Sequence, residues 1–272
     1  MARGYRESAI ARTLMVVAGI GYIGLMVALP LTTVFYFAFK DGFNTYIEAL
    51  SSPASIGAIK LTLIVGFSAL ILNTIFGLAI SWAICKFDFA YKRFYIAIID
   101  LPFTISPVIS GMVFVLLFGA SGFFGSYLID ADIKIVFSTP GIILATTFVT
   151  LPFIARSLIS LMSTQGREEE EAAATLGAGF WTIYKQITLP NIKWALFYGM
   201  TLCFARGIGD FGAVTVVAGP LRTVTIEIFD LYNEYNTAGA FALASVLTFV
   251  ALIALGIKKV IEKYHAVGGG IR

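Results

Sequence analysis

Residues Gln165–Trp194 read QGREEEEAAATLGAGFWTIYKQITLPNIKW, and this polar segment separates two long apolar segments. Its first part is rich in Glu and Ala, which are good helix formers. Gly177 and Gly179 follow, and glycine commonly lies just past a helix end because it adopts the left-handed conformation without a steric penalty. We therefore expect a helix from Arg167 to Leu176 that ends in a turn at these glycines.

The second part of the segment predicts another short helix, Phe180–Leu189, which Pro190 ends. Its apolar positions are Trp181, Ile183 and Ile187. Two short helices joined by a turn form a projection with more apolar side chains than a connector needs, and exposed apolar surface usually marks a partner site. The alternative is that the Glu run 168–171 is a solvated helix face, which explains neither the spacing of the segment nor its Leu-Pro end.

The rest of the chain is strongly apolar. Of its 272 residues 58% are hydrophobic and 13% are charged, whereas about a quarter are charged in a typical globular protein. Uncharged stretches of roughly 20 residues or more, the length needed to cross a bilayer core, recur along the sequence. They are 13–39, 61–85, 101–129, 135–155 and 235–257, and a sixth, 194–217, is interrupted only by Arg206 and Asp210. An ordinary soluble domain is thereby excluded.

We predict an all-α, polytopic membrane protein with six transmembrane helices. Only helices and closed barrels satisfy every backbone polar group in lipid, and the continuous apolar runs lack the alternation of barrel strands. The predicted helices span residues 13–38, 57–84, 94–118, 139–162, 193–217 and 237–257. The first resembles a signal peptide, but it is too long and lacks a cleavage site, so we expect it to remain as the first span.

Basic residues assign the two sides of the membrane, because cytoplasmic loops carry the excess of Lys and Arg. Alternation of six helices places one large basic set on the same side: Arg3, Arg6, Arg12, Lys86, Lys92, Arg93, Arg156, Arg167, Lys185, Lys193, Lys258, Lys259 and Lys263. The opposite loops hold Lys40, Lys134 and Arg222, with Lys60 near an entry point. The basic side is the predicted cytoplasmic side, and both termini lie on it. Since the net charge of +3 reflects this sidedness, we expect contact with membrane lipid and none with nucleic acid.

Two charged residues, Arg206 and Asp210, lie at apolar depth in the fifth predicted helix. Each isolated charge there would cost roughly 2.5–3.5 kcal/mol, and the i, i+4 spacing places both on one helix face, where they partly neutralise each other. Either this face lines a pathway or a subunit interface, or the pair is buried and fixes helix packing. Asn73 and Asp100 are weaker candidates for a functional role.

The remaining residues predict no catalytic site and no metal site. Cys85 and Cys203 are too few and too poorly spaced for a disulfide framework or a zinc site, so we expect them to be packing residues. His265 has no potential ligands nearby in the sequence, and we expect a solvated side chain. The phosphate-binding pattern G-x-x-x-x-G-K-[ST] does not occur, so the chain is not expected to be an enzyme or to hydrolyse ATP by itself.

The segment 165–194 resembles the EAA loop of bacterial binding-protein-dependent ABC importers, which reads E-A-A, three residues, G, nine residues, I, one residue, L-P. The seven specified positions are filled by Glu171, Ala172, Ala173, Gly177, Ile187, Leu189 and Pro190. The resemblance implies that this coupling loop, about 163–191, docks into a cleft on a separate ATP-hydrolysing subunit and transmits its closure to the membrane helices. It further implies a polar anchor at Glu171, close approach at Ala172 and Ala173, and a turn at Gly177.

The resemblance covers roughly residues 55–260 and favours the oxyanion branch of the family. ARGIGDFGAVTVVAG at 205–219 and LYNEYNTAGAFALASVL at 231–247 are similar to the second permease subunit of the sulfate/thiosulfate importers. The implied architecture is the type I ABC importer transmembrane fold. Its expected parts are 1–56, a cytoplasmic arm, first helix and periplasmic loop; 57–260, the transmembrane domain; and 261–272, a cytoplasmic tail.

The implied machine imports sulfate or thiosulfate across the bacterial inner membrane by alternating access. Besides this permease it contains two ATPase subunits that bind ATP and Mg, a second, related permease and a periplasmic oxyanion-binding protein. The loop Gly219–Thr225 is short for the sulfate subunits, and molybdate, tungstate or phosphate are alternative substrates. An ion-gradient-driven carrier working alone is the alternative of another class. Such carriers show inverted repeats and broken helices at the midplane, and the sequence displays neither.

Overall fold

The structure, a computed structural model, describes residues 9–268 and consists of helices joined by loops, with no strand in that range. Arg3, Arg6 and the end of the predicted tail lie outside the described residues. The helices are α1 (Ala9–Ile23), α2 (Leu29–Phe39), α3 (Phe43–Ser51), α4 (Pro53–Lys86), α5 (Lys92–Thr104), α6 (Pro107–Phe118), α7 (Gly125–Asp130), α8 (Thr139–Gln165), α9 (Glu168–Thr175), α10 (Phe180–Ile183), α11 (Leu189–Ile208), α12 (Gly212–Ala218), α13 (Val224–Asn233) and α14 (Thr237–Gly268). The π-helical turns Gly24–Ala28 and Tyr184–Thr188 join α1 to α2 and α10 to α11.

The described residues contain four continuous helices that are long and apolar enough to cross a membrane, and two bent helix pairs that raise the number to six if each pair is one span. The continuous spans are Arg12–Phe39, Pro53–Lys86, Thr139–Gln165 and Thr237–Val260. The all-α, polytopic fold predicted from the sequence is confirmed. The short helices α3, α7 and α13 lie in stretches that the sequence predicted as loops.

The third predicted helix, 94–118, is wrong as a single helix. It consists of α5 and α6, which meet at an angle of 110°. Ile105 and Ser106, between them, have ψ angles of 135°. For Ser106 the cause is the ring of Pro107, which disfavours the helical conformation of the residue before it. Pro102, by contrast, lies inside α5 without ending it.

The prediction that Pro190 ends a short helix is also wrong, because Phe180–Ile208 is one continuous helix. Pro190 lies at the start of α11, directly after the π-helical turn Tyr184–Thr188. A proline inside a helix removes one hydrogen bond and crowds the carbonyl four residues earlier. The wider π-helical turn lies directly before Pro190, where the proline ring would otherwise crowd the backbone. π-helical insertions are a common cause of irregularity in α-helices.

The fifth predicted helix, 193–217, is likewise broken. α11 ends at Ile208, and α12 begins at Gly212 with an axis bent by 54°. Two of the spans are therefore interrupted, so broken helices do occur in this chain although its sequence did not reveal them. Broken helices therefore no longer distinguish this chain from an ion-gradient-driven carrier.

The centre of the molecule is formed by α4, α8 and α11, which pack on one another. Gly77 of α4 and Gly199 of α11 both lie against the fully buried Ile154 of α8. A Cβ atom on Gly77 would be 2.9 Å from Cγ2 of Ile154, and one on Gly199 would be 3.0 Å from its Cα. Small residues permit this close approach of helices, which is how membrane helices associate.

A buried polar contact joins the same three helices. Asn73 of α4 donates from Nδ2 to the carbonyl of Thr147 at 3.0 Å and to Oγ1 of Thr150 at 2.8 Å, both on α8. It also lies 3.5 Å from Sγ of Cys203 on α11. Asn73 is therefore a packing residue of the core rather than part of an open site, and Cys203 packs there as predicted.

The first span lies at the periphery. None of its most apolar part is buried against the rest of the chain, and it packs through α2 on α14, where the rings of Phe37 and Phe241 stack at 5.1 Å. The central helices, by contrast, carry the two candidate sites: the coupling loop precedes the start of α11, and the Arg206–Asp210 pair lies at its end.

Candidate functional site

The predicted coupling loop forms a bent pair of helices. α9 begins with four glutamates in its first turn, where negative charge is favoured by the helix dipole. At its end Gly177 has φ +84°, its N–H donates to the carbonyl of Ala174 at 3.0 Å, and the N–H of Ala178 donates to Ala173 at 3.0 Å. These two bonds define a Schellman cap. The predicted turn at Gly177 is confirmed, and its cause is backbone conformation, because nothing lies within 4 Å of a Cβ atom built there.

Aromatic side chains attach the second helix of the loop to the membrane helices. Phe180 of α10 packs edge-to-face against Trp82 of α4 at 5.2 Å and stacks on Tyr184 at 6.2 Å. Trp181 lies beside them, with the ammonium of Lys185 5.9 Å from its ring. The base of the loop is thereby fixed, while its far end remains open.

The far end of the loop presents apolar surface. Leu176 is 89% exposed and Trp181 is 68% exposed, and such side chains usually mark a partner site. The predicted docking residues divide between this surface and the base: Glu171, Ala172, Gly177 and Pro190 are exposed, and Ala173, Ile187 and Leu189 are half-buried. The sequence indicated the exposed Trp181 but not Leu176, which has the largest exposed fraction among the large apolar side chains of the loop.

Ionic contacts fix the loop to the ends of three membrane helices. The ammonium of Lys86, the last residue of α4, lies 3.0 Å from Oε2 of Glu170 and donates to the carbonyl of Gly166 at 2.8 Å. Oε1 of Glu170 accepts a hydrogen bond of 2.6 Å from Oγ1 of Thr188, and Nδ2 of Asn191 donates to Oε2 of Glu169 at 2.6 Å. We call the contacts of Lys86, Gly166, Glu170 and Thr188 the loop clamp.

Sequence reasoning missed the loop clamp. Lys86 was counted only as evidence of sidedness, and Glu170 was one member of a run in which Glu171 was singled out. The one usable signal was a basic residue at the end of a span and an acidic run after another span on the same predicted side. No spacing rule joins residues this far apart in the chain.

Arg206 and Asp210 do form a pair, but its setting differs from the prediction. Nη1 of Arg206 lies 3.1 Å from Oδ1 of Asp210. Asp210 follows the end of α11, so the two residues do not share a helix face; the pair spans the break before α12. The side chain of Asp210 is 1% exposed and that of Arg206 is 35% exposed. The carbonyl of Asp210 also accepts a hydrogen bond of 3.0 Å from Oγ1 of Thr225 on α13.

Ion pairs also join other charged residues near the membrane helices. Asp100 of α5, a weaker candidate in the sequence, forms a bidentate ion pair with Arg156 of α8. Arg222 forms an ion pair with Asp230 of α13 and lies 3.9 Å from the buried carboxylate of Glu227. Within the part of the chain that the structure describes, no group of three or more His, Cys, Asp or Glu residues is placed to hold a metal ion.

Comparison with known proteins identifies the class of this molecule. Residues 74–264 match the family described as binding-protein-dependent transport system inner membrane component. The sulfate transport system permease protein CysW of Synechocystis sp. is 42% identical over 254 residues, 92% of this chain and 92% of that protein. The sulfate transport system permease protein CysT of Escherichia coli is 33% identical over 238 residues, 86% of each chain.

A solved structure shows the same fold. A chain of a bacterial ABC transporter involved in the import of the acidic polysaccharide alginate superimposes with a TM-score of 0.73 over 93% of this chain and 94% of that chain, at 19% identity. The fold is that of the membrane subunits of type I ABC importers. The chain belongs to the binding-protein-dependent transport system inner membrane component family, and it is therefore a multi-helix permease component of an ABC transporter.

Proposed function

We propose that this chain is the permease subunit of an ATP-driven importer that carries sulfate and thiosulfate across the bacterial inner membrane. The observation that carries the proposal is the 42% identity to a sulfate permease across 92% of both chains. Its relatives also include the second type of sulfate permease, CysT. This supports a pair of different but related permeases, of which this chain is one.

The bent loop is the coupling element of this machine. Each of the two permeases offers such a loop to one of two ATPase subunits, which bind ATP and Mg. The exposed Leu176 and Trp181 supply apolar contact, Glu171 supplies a charged anchor, and Ala172 and Ala173 allow close approach. Ile187, Leu189 and Pro190 lie at the base of the loop, where it joins α11.

The position of the loop supports the proposed topology. The loop clamp brings the end of α4, the end of α8 and the start of α11 together, so these three helix ends lie on one side of the membrane. That side carries the predicted excess of basic residues and is assigned to the cytoplasm. With six spans, both termini are cytoplasmic, and a periplasmic oxyanion-binding protein delivers the substrate to the opposite side.

The transport cycle is alternating access. ATP-driven closure of the two ATPase subunits moves the coupling loops, and the loops tilt the helices attached to them so that a cavity between the two permeases opens outward. Hydrolysis returns the inward-facing state. The chain itself performs no ATP chemistry; its contribution is mechanical coupling and a path for an anion.

Reconstitution of the assembled complex tests the proposal. The chain is co-expressed with its neighbouring ATPase, second permease and binding protein, and the purified complex is placed in proteoliposomes with ATP inside. We expect uptake of ³⁵S-sulfate that requires the binding protein and ATP, with unlabelled thiosulfate competing and molybdate, tungstate and phosphate competing weakly. Stronger competition by one of the latter anions would reassign the substrate. Uptake by the chain alone under an ion gradient would refute the class of mechanism.

A further inference from the structure

The connection between α8 and the coupling loop is a glycine link that is open to solvent. α8 ends at Gln165 and α9 begins at Glu168. Gly166, between them, has φ +74° and ψ −156°, a conformation that residues with side chains rarely adopt. Nothing lies within 4 Å of a Cβ atom built on it. Packing therefore does not hold this link, and α9 would pivot about it unless another contact fixed the angle between α8 and α9.

Lys86 provides that contact from a third helix. Its ammonium bonds to the carbonyl of Gly166, in the link itself, at 2.8 Å and to the carboxylate of Glu170, on α9, at 3.0 Å. The Lys86 side chain is 10% exposed and that of Glu170 is 17% exposed. Water screens this pair far less than a surface pair, so its geometry is better defined than that of most surface ion pairs.

The same carboxylate extends the connection to α11. Oε1 of Glu170 accepts a 2.6 Å hydrogen bond from Thr188, which is buried in the π-helical turn before α11. These groups border a cavity of about 240 Å³ that also reaches Met162 and Ile192. Because the space between the helices is not filled by side chains, the polar contacts determine the position of α9 relative to α4 and α11.

We propose, building on the function proposed above, that Lys86 is a positioning residue that transmits movement of the coupling loop to the membrane helices. With the clamp in place, a push on α9 reaches α4 through Lys86 and α11 through Thr188. Without it, the start of α9 keeps only the 3.3 Å contact of Arg167 with the carbonyl of Cys85 on α4 and the 2.6 Å contact of Glu169 with Asn191 on α11, so less of the movement of the ATPase subunits reaches α4. The Lys86 side chain is almost buried within this chain, so we expect its loss to weaken transmission rather than docking.

The test uses the whole complex and separates docking from transmission. The variants are Lys86→Met, which keeps the length of the side chain, Lys86→Arg, which keeps the charge, Glu170→Gln, and the double variant Lys86→Met/Glu170→Gln. The matched control is Arg93→Met, which removes an exposed positive charge on the same predicted side. The measurements are the ATPase-to-permease ratio after purification, the ATP concentration at half-maximal rate, the maximal ATPase rate stimulated by loaded binding protein, and sulfate uptake.

For Lys86→Met we expect an unchanged subunit ratio and an unchanged half-maximal ATP concentration. The stimulated maximal rate and uptake should fall together by about 2- to 30-fold, the range expected for a coupling contact. Lys86→Arg should recover part of the loss, and the double variant should be no worse than the single variants, because both remove one contact. Arg93→Met should match the wild type.

Two results would overturn the inference. One is wild-type stimulation and uptake in Lys86→Met; the other is a lowered subunit ratio in Lys86→Met and Glu170→Gln, which would assign the pair to docking or folding. Failure of the proposed function has a different signature, because then the wild-type chain itself would bind no ATPase subunit or show no binding-protein-stimulated turnover.

Discussion

The guanidinium of Arg206 donates a 3.1 Å hydrogen bond to the carboxylate of Asp210 across the break between α11 and α12. The two partners differ in environment, since Asp210 is buried and Arg206 is partly exposed. We propose that the exposed part of Arg206 faces either the path of the anion or the second permease, and that Asp210 holds it in place.

Neutralising both members of this pair separates a transport role from a packing role. For Arg206→Gln/Asp210→Asn we expect near wild-type thermal stability but loss of most sulfate uptake. For Asp210→Asn alone we expect a lower yield of inserted protein, because an unpaired charge at this depth costs roughly 2.5–3.5 kcal/mol. Uptake and the melting temperature of the purified complex are the measurements. Full uptake in the double variant would assign the pair to packing.

Substitution of Gly177 should uncouple transport through the backbone of the loop. In Gly177→Val the side chain must adopt φ near +84°, which costs an L-residue about 1–2 kcal/mol, so the Schellman cap should open. We expect normal insertion with a large loss of stimulated ATPase activity. Gly179→Val is the control, because Gly179 has φ −73° and open space around it. Equal behaviour of the two variants would contradict the lever role of the turn.

Removing the most exposed apolar side chain of the loop should weaken ATPase docking. Burial of a leucine side chain contributes about 1.5–3 kcal/mol, so Leu176→Ser should lower the affinity for the ATPase subunit by about 10- to 100-fold. Tyr127→Ser on α7 removes an equally prominent exposed side chain (75% exposed) on the opposite predicted side. Titration of the ATPase subunit against the permease pair in nanodiscs gives both affinities. A similar loss in both variants would rule out a specific contact at Leu176.

The contact of α4 with α8 should be intolerant of a single methyl group. In Gly77→Ala the new Cβ would lie 2.9 Å from Cγ2 of Ile154, which is fully buried and has no room to move. Overpacking of this kind costs about 1–3 kcal/mol. We expect a lower melting temperature in detergent.

A glycine of the same helix provides the control for this substitution. Nothing lies within 4 Å of a Cβ atom built on Gly57 of α4, and alanine is the better helix former. Gly57→Ala should therefore leave stability unchanged or raise it. If Gly77→Ala is as stable as Gly57→Ala, the close packing of α4 on α8 is not required for the fold.

The sequence predicted what depends on local chemistry or on average polarity. Long apolar runs gave the spans, and the glutamate-alanine run followed by Gly177 gave the first loop helix and its turn. The sequence did not predict which of three outcomes a proline would have. Pro107 breaks a helix, Pro102 lies inside one, and Pro190 continues one through a π-helical turn. Neighbouring helices decide among these outcomes, and residue order alone does not report them.

Long-range polar contacts were equally out of reach. Lys86 and Glu170 are distant in the chain, as are Asn73 and Cys203, and each meets its partner only because α4, α8 and α11 pack together. The pairing of Arg206 with Asp210 was predictable because it is local. The break that separates the two residues was not predictable, since it lies where Gly212 packs against Pro107 of α6 and Phe211 packs against Phe229 of α13, and these contacts are long-range.

The uninterrupted helix Phe180–Ile208 has a geometric consequence. At about 1.5 Å per residue it is roughly 40 Å long, with the aromatic cluster of Phe180 at one end and Gly209 just beyond the other. A tilt of about 5° about the Phe180 end would shift the Ile208 end sideways by about 3–4 Å. This distance is roughly the diameter of a water molecule or of an oxygen atom of an oxyanion. In the transport cycle proposed above, a small rotation of the ATPase subunits would therefore be sufficient to open or close a constriction at the other end of this helix, with no refolding in between.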